Sequence, residues 1–147
     1  MEMENEPVIL PAILLSDNVI REAGTGKLSY IGCFSQWNLP QLPITIAPFY
    51  ITAQVANFRH GGREVPVELR IEKADGQRIF GVEGKVGFAE KDLPPGLIVD
   101  LPTPIVGLQF TEVGRYTIRV VIDGEEVGQR DTFVRVVAPP QAPGAAQ

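Results

Sequence analysis

The chain has 147 residues and a formal net charge of −5, which is the usual size of one domain. Because Lys and Arg form no basic run, this acidic balance disfavours nucleic acid or an anionic membrane surface as the partner. Cys33 is the single cysteine, so an internal disulfide and a thiolate metal cluster are both excluded.

The N-terminal stretch MEMENEPVILPAILL carries acids where a secretory signal would carry basic residues. Its apolar run is also too short to cross a bilayer. We therefore expect a cytoplasmic protein. Residues 1–6 are expected to be flexible and the proline- and alanine-rich residues 138–147 disordered, which leaves residues 7–137 as one folded domain.

Strands are predicted wherever apolar and polar residues alternate, because such segments form half-buried β-strands. The first strands are expected at residues 8–15, 27–35 and 49–57. A further strand is expected at either residues 97–101 or residues 106–110, since prolines interrupt this region.

Two β-hairpins are predicted from the dipeptide Asp-Gly between alternating runs, because both central residues of such a turn need positive φ. Asp75-Gly76 follows the strand of residues 65–72, and Asp123-Gly124 follows the strand of residues 115–122. Pro66 has no backbone donor for a sheet, so we expect it at a strand start or on an edge.

The fold predicted from these elements is all-β, an antiparallel immunoglobulin-like β-sandwich of about seven to eight strands. Tyr116 follows a glycine turn and enters a strong strand. It is either a tyrosine corner, whose hydroxyl bonds back to nearby backbone, or an ordinary core tyrosine at a strand start. The sequence leaves both alternatives open.

The stretch REAGTGKLS at residues 21–29 looks like a phosphate-binding loop at first sight. A Walker A loop, however, needs glycine where Arg21 stands, Ser or Thr where Leu28 stands, and a helix after Lys27. The following residues are instead predicted to form a strand. We therefore expect a glycine turn between antiparallel strands, with no bound nucleotide and no other cofactor.

The remaining reactive residue types predict neither a catalytic site nor a metal site. His60 is the only histidine and is expected in an exposed glycine loop, without the partners that catalysis needs. Cys33 lies in an apolar strand and is expected to be a buried core cysteine. The acids of the middle region follow no calcium-loop spacing and are expected on solvated faces. These acids are Glu83, Glu90, Asp92 and Asp100.

Two proline-stiffened apolar loops are the candidates for binding a partner. One contains Trp37, Leu39 and Leu42, and the other contains Leu93 and Leu97. The Trp37 loop either closes one end of the core, which is the favoured alternative, or exposes an apolar patch typical of a binding surface. Proline reduces the entropy that such a loop loses on binding.

Several short motifs follow one another in a recognisable order. They are Ser16-Asp17, Ala23-Gly24-Thr25-Gly26-Lys27, Ile31-Gly32 with Phe34, Pro48-Phe49-Tyr50 and Gly114-Arg115-Tyr116. This order resembles a bacterial family of small proteins that share a domain of unknown function. The resemblance covers residues 8–137 and implies a shared immunoglobulin-like sandwich, but it carries over no catalytic residue.

The function predicted is that of a non-catalytic cytoplasmic module that binds a protein partner or associates with itself. It would use loops at one end or an exposed sheet edge, because edge strands readily dock another chain. The alternatives are a structural subunit of a bacterial or phage-derived assembly and, less favoured, a hydrolase with spatially gathered acidic residues.

Overall fold

The computed structural model describes residues 8–56, 64–87 and 98–138, with side chains from residue 13 onward. Eleven strands and no helix are present in these ranges. They are β1 (Val8–Arg21), β2 (Leu28–Phe34), β3 (Gln36–Leu39), β4 (Ile44–Thr45), β5 (Phe49–Ala56), β6 (Glu64–Lys73), β7 (Arg78–Gly87), β8 (Ile98–Ile105), β9 (Gln109–Phe110), β10 (Gly114–Ile122) and β11 (Glu125–Val136). His60, Glu90, Asp92, Leu93 and Leu97 lie outside the described residues.

The strands form two large sheets and one small one. One large sheet has the order β2-β1-β5-β8 and is antiparallel throughout. The other has the order β3-β11-β10-β6-β7, in which β3 runs parallel to β11 and the remaining pairs are antiparallel. The strands β4 and β9 form a separate two-stranded ribbon. The predicted all-β, immunoglobulin-like sandwich is confirmed, although the described ranges contain eleven strands rather than seven to eight and one of the strand pairs is parallel.

A single apolar core draws on both large sheets. Ile13 and Ile51 contribute from the four-stranded sheet, and Ile71 and Ile118 from the five-stranded sheet; all four are buried. Alternate residues of each strand point inward, so removing this apolar surface from water stabilises the packing of one sheet on the other. At one side of the sandwich, the Arg130 guanidinium donates a hydrogen bond to the Ile13 carbonyl and so ties β11 to β1.

Tyr116 forms the tyrosine corner that was one of its two predicted alternatives. Its hydroxyl donates a hydrogen bond of 2.7 Å to the backbone carbonyl of Glu112. The ring is buried and packs against Phe110 with 4.9 Å between ring centroids. Burial and the nearby Glu112 carboxylate raise the pKa of the Tyr116 hydroxyl above its ordinary value.

Both Asp-Gly hairpins are confirmed, but their turns differ. Asp123 and Gly124 have φ values of 51° and 84°, as a two-residue hairpin turn requires. At the other turn only Gly76 has positive φ, at 90°. There the Gly76 amide donates to the Lys73 carbonyl at 2.9 Å, which gives a longer loop that ends in a left-handed glycine.

The stretch REAGTGKLS is confirmed as the turn between β1 and β2. The Glu22 amide donates to the Lys27 carbonyl at 2.8 Å, and the Gly26 amide donates to the Glu22 carbonyl at 3.0 Å. The Arg21 guanidinium donates to the Gly26 carbonyl at 2.8 Å and closes the turn from the side. Leu28 then begins a strand, as expected.

Three strand predictions need adjustment. β1 continues to Arg21, well past the predicted end at residue 15. β8 runs through Pro102 and Pro104, because it lies at a sheet edge where a missing backbone donor is tolerated. β3 is an additional strand that was not predicted, because its alternation spans only four residues. No helix that could span a membrane occurs in the described ranges.

Candidate functional site

The strand β3 is the exposed edge of the five-stranded sheet. Among the described strands it has one neighbour, β11, so the backbone groups on its other side are free to pair. Its four residues carry no charge. The other edge strands of the two large sheets are less suited to pairing with another chain. β7 carries charged side chains, β8 contains two prolines, and β2 contains Gly32, whose φ of 69° departs from strand geometry.

An apolar groove lies on one side of β3, and we call it the outer groove. Its volume is about 560 Å³, and Gln36 and Arg135 supply its polar lining. Val113, Phe133 and Val136 also line it, with exposed fractions of 59%, 48% and 48%. Three large apolar side chains exposed in one groove are typical of a binding surface.

A second concavity of about 370 Å³ lies where β2 of one sheet passes into β3 of the other; Ser35 alone separates these strands. We call it the Asp17 cleft. Its lining includes Asp17, Gly32, Phe34, Gln36, Trp37 and Asn38. Asp17 is the only charged residue among the described residues of this lining. Gln36 lines both the cleft and the outer groove, so the two concavities and β3 form one continuous area, the β3 surface.

Aromatic rings form the inner wall of the Asp17 cleft. Trp37 packs edge-to-face on Phe34 and Phe49, with centroid distances of 5.3 Å and 5.4 Å, and the two phenylalanine rings are 5.8 Å apart. This geometry is favoured by the ring quadrupoles and fixes the rings relative to one another. The wall is therefore rigid and apolar.

The Asp17 carboxylate lies directly over the backbone of Gly32. Gly32 stands opposite Asp17 in the β1–β2 pairing, between the pairs Ser16–Cys33 and Asn18–Ile31. A Cβ atom at Gly32 would lie 2.3 Å from Asp17 Oδ2, and the φ of 69° is itself unfavourable for other residues. Asp17 makes no ion pair with the described residues, so its charge is uncompensated there.

Residues 11–135 match the family described as a family of unknown function, DUF6941. The chain belongs to this family. Five residues of the sequence motifs that carry the resemblance to this family line the Asp17 cleft: Asp17, Gly32, Phe34, Pro48 and Phe49. The match over residues 11–135 confirms the resemblance that was noted from the sequence.

The solved structures that are similar to the chain include two from Pseudomonas species. One is the alkylpurine DNA glycosylase AlkC from Pseudomonas fluorescens, bound to DNA containing an abasic site analog; it has a TM-score of 0.41 and 12% identity. That match covers 84% of this chain but only 30% of the glycosylase chain. The other is an immunoglobulin-like protein from Pseudomonas aeruginosa, with a TM-score of 0.38, 17% identity, and coverage of 88% of this chain and 97% of that one. No curated protein matches the chain significantly.

The structure places Trp37 and Leu39 in the core, with exposed fractions of 7% and 8%. The favoured alternative, in which this loop closes the core, therefore describes them, and the alternative of an exposed patch is wrong for both. The reason is the pairing of β3 with β11, which turns Trp37 and Leu39 inward and Gln36 and Asn38 outward. Leu42 is half-buried against the core. A role in partner binding stays a prediction for all three.

The expectation of a buried Cys33 is wrong, because this thiol is exposed. β2 is an edge strand, and Cys33 lies on the face opposite Phe34, which packs against the core. Apolar neighbours in the sequence therefore did not indicate burial. Within the described ranges, no three His, Cys, Asp or Glu side chains come close enough to hold a metal ion.

The acids expected on solvated faces behave differently from one another. Glu83 is exposed, whereas Asp100 is half-buried. Burial and the Asp100 carboxylate raise the pKa of the Tyr30 hydroxyl, although neither this hydroxyl nor Asp100 Oδ1 has a well-aligned hydrogen-bond partner in the described region. This pair lies on the four-stranded sheet and is not part of the β3 surface.

Proposed function

We propose that the chain is a non-catalytic protein-binding module that takes up an extended segment of a partner protein along β3. The single observation that carries this proposal is the position of β3 as an uncharged edge strand between two concavities. A peptide that adds a strand to a sheet edge gains affinity from backbone hydrogen bonds and specificity from pockets for alternate side chains. The β3 surface supplies both elements.

The two concavities suit the alternation of an added strand. Successive side chains of a strand point to opposite faces, and Gln36 lies where the outer groove meets the Asp17 cleft. One set of partner side chains would enter the groove and the other set the cleft. Apolar side chains suit the groove, because covering half-exposed Phe133 and its valine neighbours contributes on the order of 1 kcal/mol each.

The proposal includes a location in the bacterial cytoplasm and a protein, rather than nucleic acid or membrane, as the partner. The net charge of −5 supports this choice, because phosphate backbones and anionic lipids would be repelled. The alternative of a tile in a larger assembly predicts self-association. A sedimentation measurement at high concentration distinguishes the two, since a partner-binding module stays monomeric.

The direct test is a displayed peptide library selected against the full chain. Selected peptides should bind Phe133→Ser at least tenfold more weakly, because the groove loses its largest apolar side chain. The matched control is Ile98→Ser, which removes a similarly exposed side chain from β8. Backbone amide shifts on binding should centre on residues 36–39 and 133–136. A library that yields no binder, or shifts that centre elsewhere, would show the proposal to be wrong.

A further inference from the structure

We propose that the Asp17 cleft is the specificity pocket of the β3 surface and that it receives an arginine side chain of the partner segment. This inference rests on the proposed function and adds the chemistry of the partner to it. It depends on three features of the cleft: a carboxylate without an ion pair in the described region, a glycine backbone that leaves room for this carboxylate, and a lining that also contains aromatic and amide side chains.

The negative charge of the Asp17 cleft favours a positively charged partner side chain. Asp17 is the only charged residue in the described lining, and it makes no ion pair with the described residues. Arg135, the one charged residue lining the outer groove, has the opposite sign and lies on the other side of β3. A partner side chain that enters the cleft therefore meets a single negative charge, which favours a positive one.

The backbone at Gly32 leaves room for the Asp17 carboxylate at the wall of the cleft. A Cβ there would come within 2.3 Å of Asp17 Oδ2, so the carboxylate would have to move, and the φ of 69° is left-handed and favours glycine. The Asp17 side chain rests on this flat backbone at the wall of the cleft. Asp17 is exposed, so a partner side chain can reach its carboxylate from solvent.

The shape and polarity of the remaining wall favour arginine over lysine. A guanidinium is planar, stacks on aromatic rings and donates two parallel hydrogen bonds to one carboxylate, whereas an ammonium is a compact, strongly hydrated charge. Half-buried Phe34 supplies the aromatic surface, with the buried Trp37 ring packed behind it, and Gln36 and Asn38 in the lining carry side-chain carbonyls that can accept hydrogen bonds. The cleft thus combines a carboxylate, an aromatic surface and amide carbonyls, which are the groups that a guanidinium contacts.

The experiment uses N-acetyl-arginine-N-methylamide as the probe and follows the amide signal of Gly32 and the indole signal of Trp37 by NMR. We expect saturable shifts with the full chain and at least fivefold weaker binding with Asp17→Asn. The exposed control Glu125→Gln removes the same charge at a distant hairpin and should bind as the unchanged chain does. The corresponding lysine and norleucine derivatives should bind more weakly, in that order.

Equal binding by Asp17→Asn, the same shifts with norleucine, or no saturable shift with arginine would overturn the inference. These outcomes are separable from a failure of the proposed function. If library peptides still bind along β3 while the arginine probe does not, the specificity pocket is wrong and the docking function stands. If the arginine probe binds but no peptide does, the cleft is a pocket for a free guanidinium and the docking function is wrong.

Discussion

Gly32 shows how one residue without a side chain shapes the wall of the Asp17 cleft. Gly32→Ala should destabilise the fold by about 1–2 kcal/mol for the left-handed backbone alone, and by more because the new methyl group displaces Asp17. Urea unfolding measures the change. Gly76→Ala is the matched control, since Gly76 has φ of 90° but no atom within 4 Å of the added Cβ.

The double variant Gly32→Ala with Asp17→Ala separates the two causes. Removing the Asp17 carboxylate should restore the part of the free energy of unfolding that is due to the clash, and leave the backbone part unchanged. If Gly32→Ala costs no more than Gly76→Ala, the close approach of Asp17 to the Gly32 backbone is not significant.

Among the elements, β10 joins its two neighbours through side chains on the outer face of the five-stranded sheet. Arg119 pairs at 2.9 Å with Glu72 of β6 and at 2.9 Å with Glu126 of β11. Arg119→Met should lower the free energy of unfolding by about 1 kcal/mol at low salt, because a network of partly exposed ion pairs contributes modestly.

The salt dependence checks that charge causes this loss. At about 1 M salt the Debye length falls to about 3 Å, so the difference between Arg119→Met and the unchanged chain should shrink. Arg115→Met on the same strand is the control, since Arg115 is exposed and makes no ion pair with the described residues. An equal loss for both variants, or a loss that salt does not reduce, would contradict the electrostatic explanation.

Local signals predicted the elements well and non-local pairing poorly. The hairpins at Asp75-Gly76 and Asp123-Gly124 were predictable because turn chemistry and alternation lie in adjacent residues. β3 was not, because its alternation spans only four residues and its parallel partner β11 lies far along the chain, so no turn signal links the two strands. The same holds for Cys33, whose exposure follows from the place of β2 at a sheet edge rather than from its neighbours.

For the whole molecule, titrating side chains limit the pH range of full stability. Burial and a nearby carboxylate raise the pKa values of Tyr30 and Tyr116 above their ordinary value of 10.0. Folding thus favours the protonated hydroxyls, so their contribution is complete below pH 10.0 and is lost as the pH rises through the folded-state pKa. We expect the urea midpoint to fall above about pH 10.

Tyr116→Phe tests this expectation. It should cost about 1 kcal/mol at neutral pH, where the hydrogen bond to Glu112 is lost, and its midpoint should fall less steeply at alkaline pH. At the acid end, the hydrogen bond from Arg70 lowers the pKa of Glu68 below 4.5. That contribution is complete above pH 4.5 and is lost as the pH falls. Parallel alkaline curves for Tyr116→Phe and the unchanged chain would contradict the role of Tyr116.

The candidate site forms only when the whole molecule is folded, which is why the sequence did not indicate it. Asp17, Phe34 and Pro48 come from three separate segments, and only the assembled sandwich brings them to one cleft. Trp37 was expected either to close the core, the favoured alternative, or to form an exposed patch; it lies in the core and lines the cleft from the inner side. Resemblance to the family named several of these residues without showing that they meet.

The crossover at Ser35 links the β3 surface to the stability of the fold. Ser35 alone joins β2 of one sheet to β3 of the other, and the Thr132 hydroxyl holds its carbonyl at 2.7 Å. A segment bound along β3 would therefore brace one of the places where the chain crosses from one large sheet to the other. Because a partner that binds only the folded chain shifts the folding equilibrium, such a segment would also raise the apparent free energy of unfolding as its concentration rises.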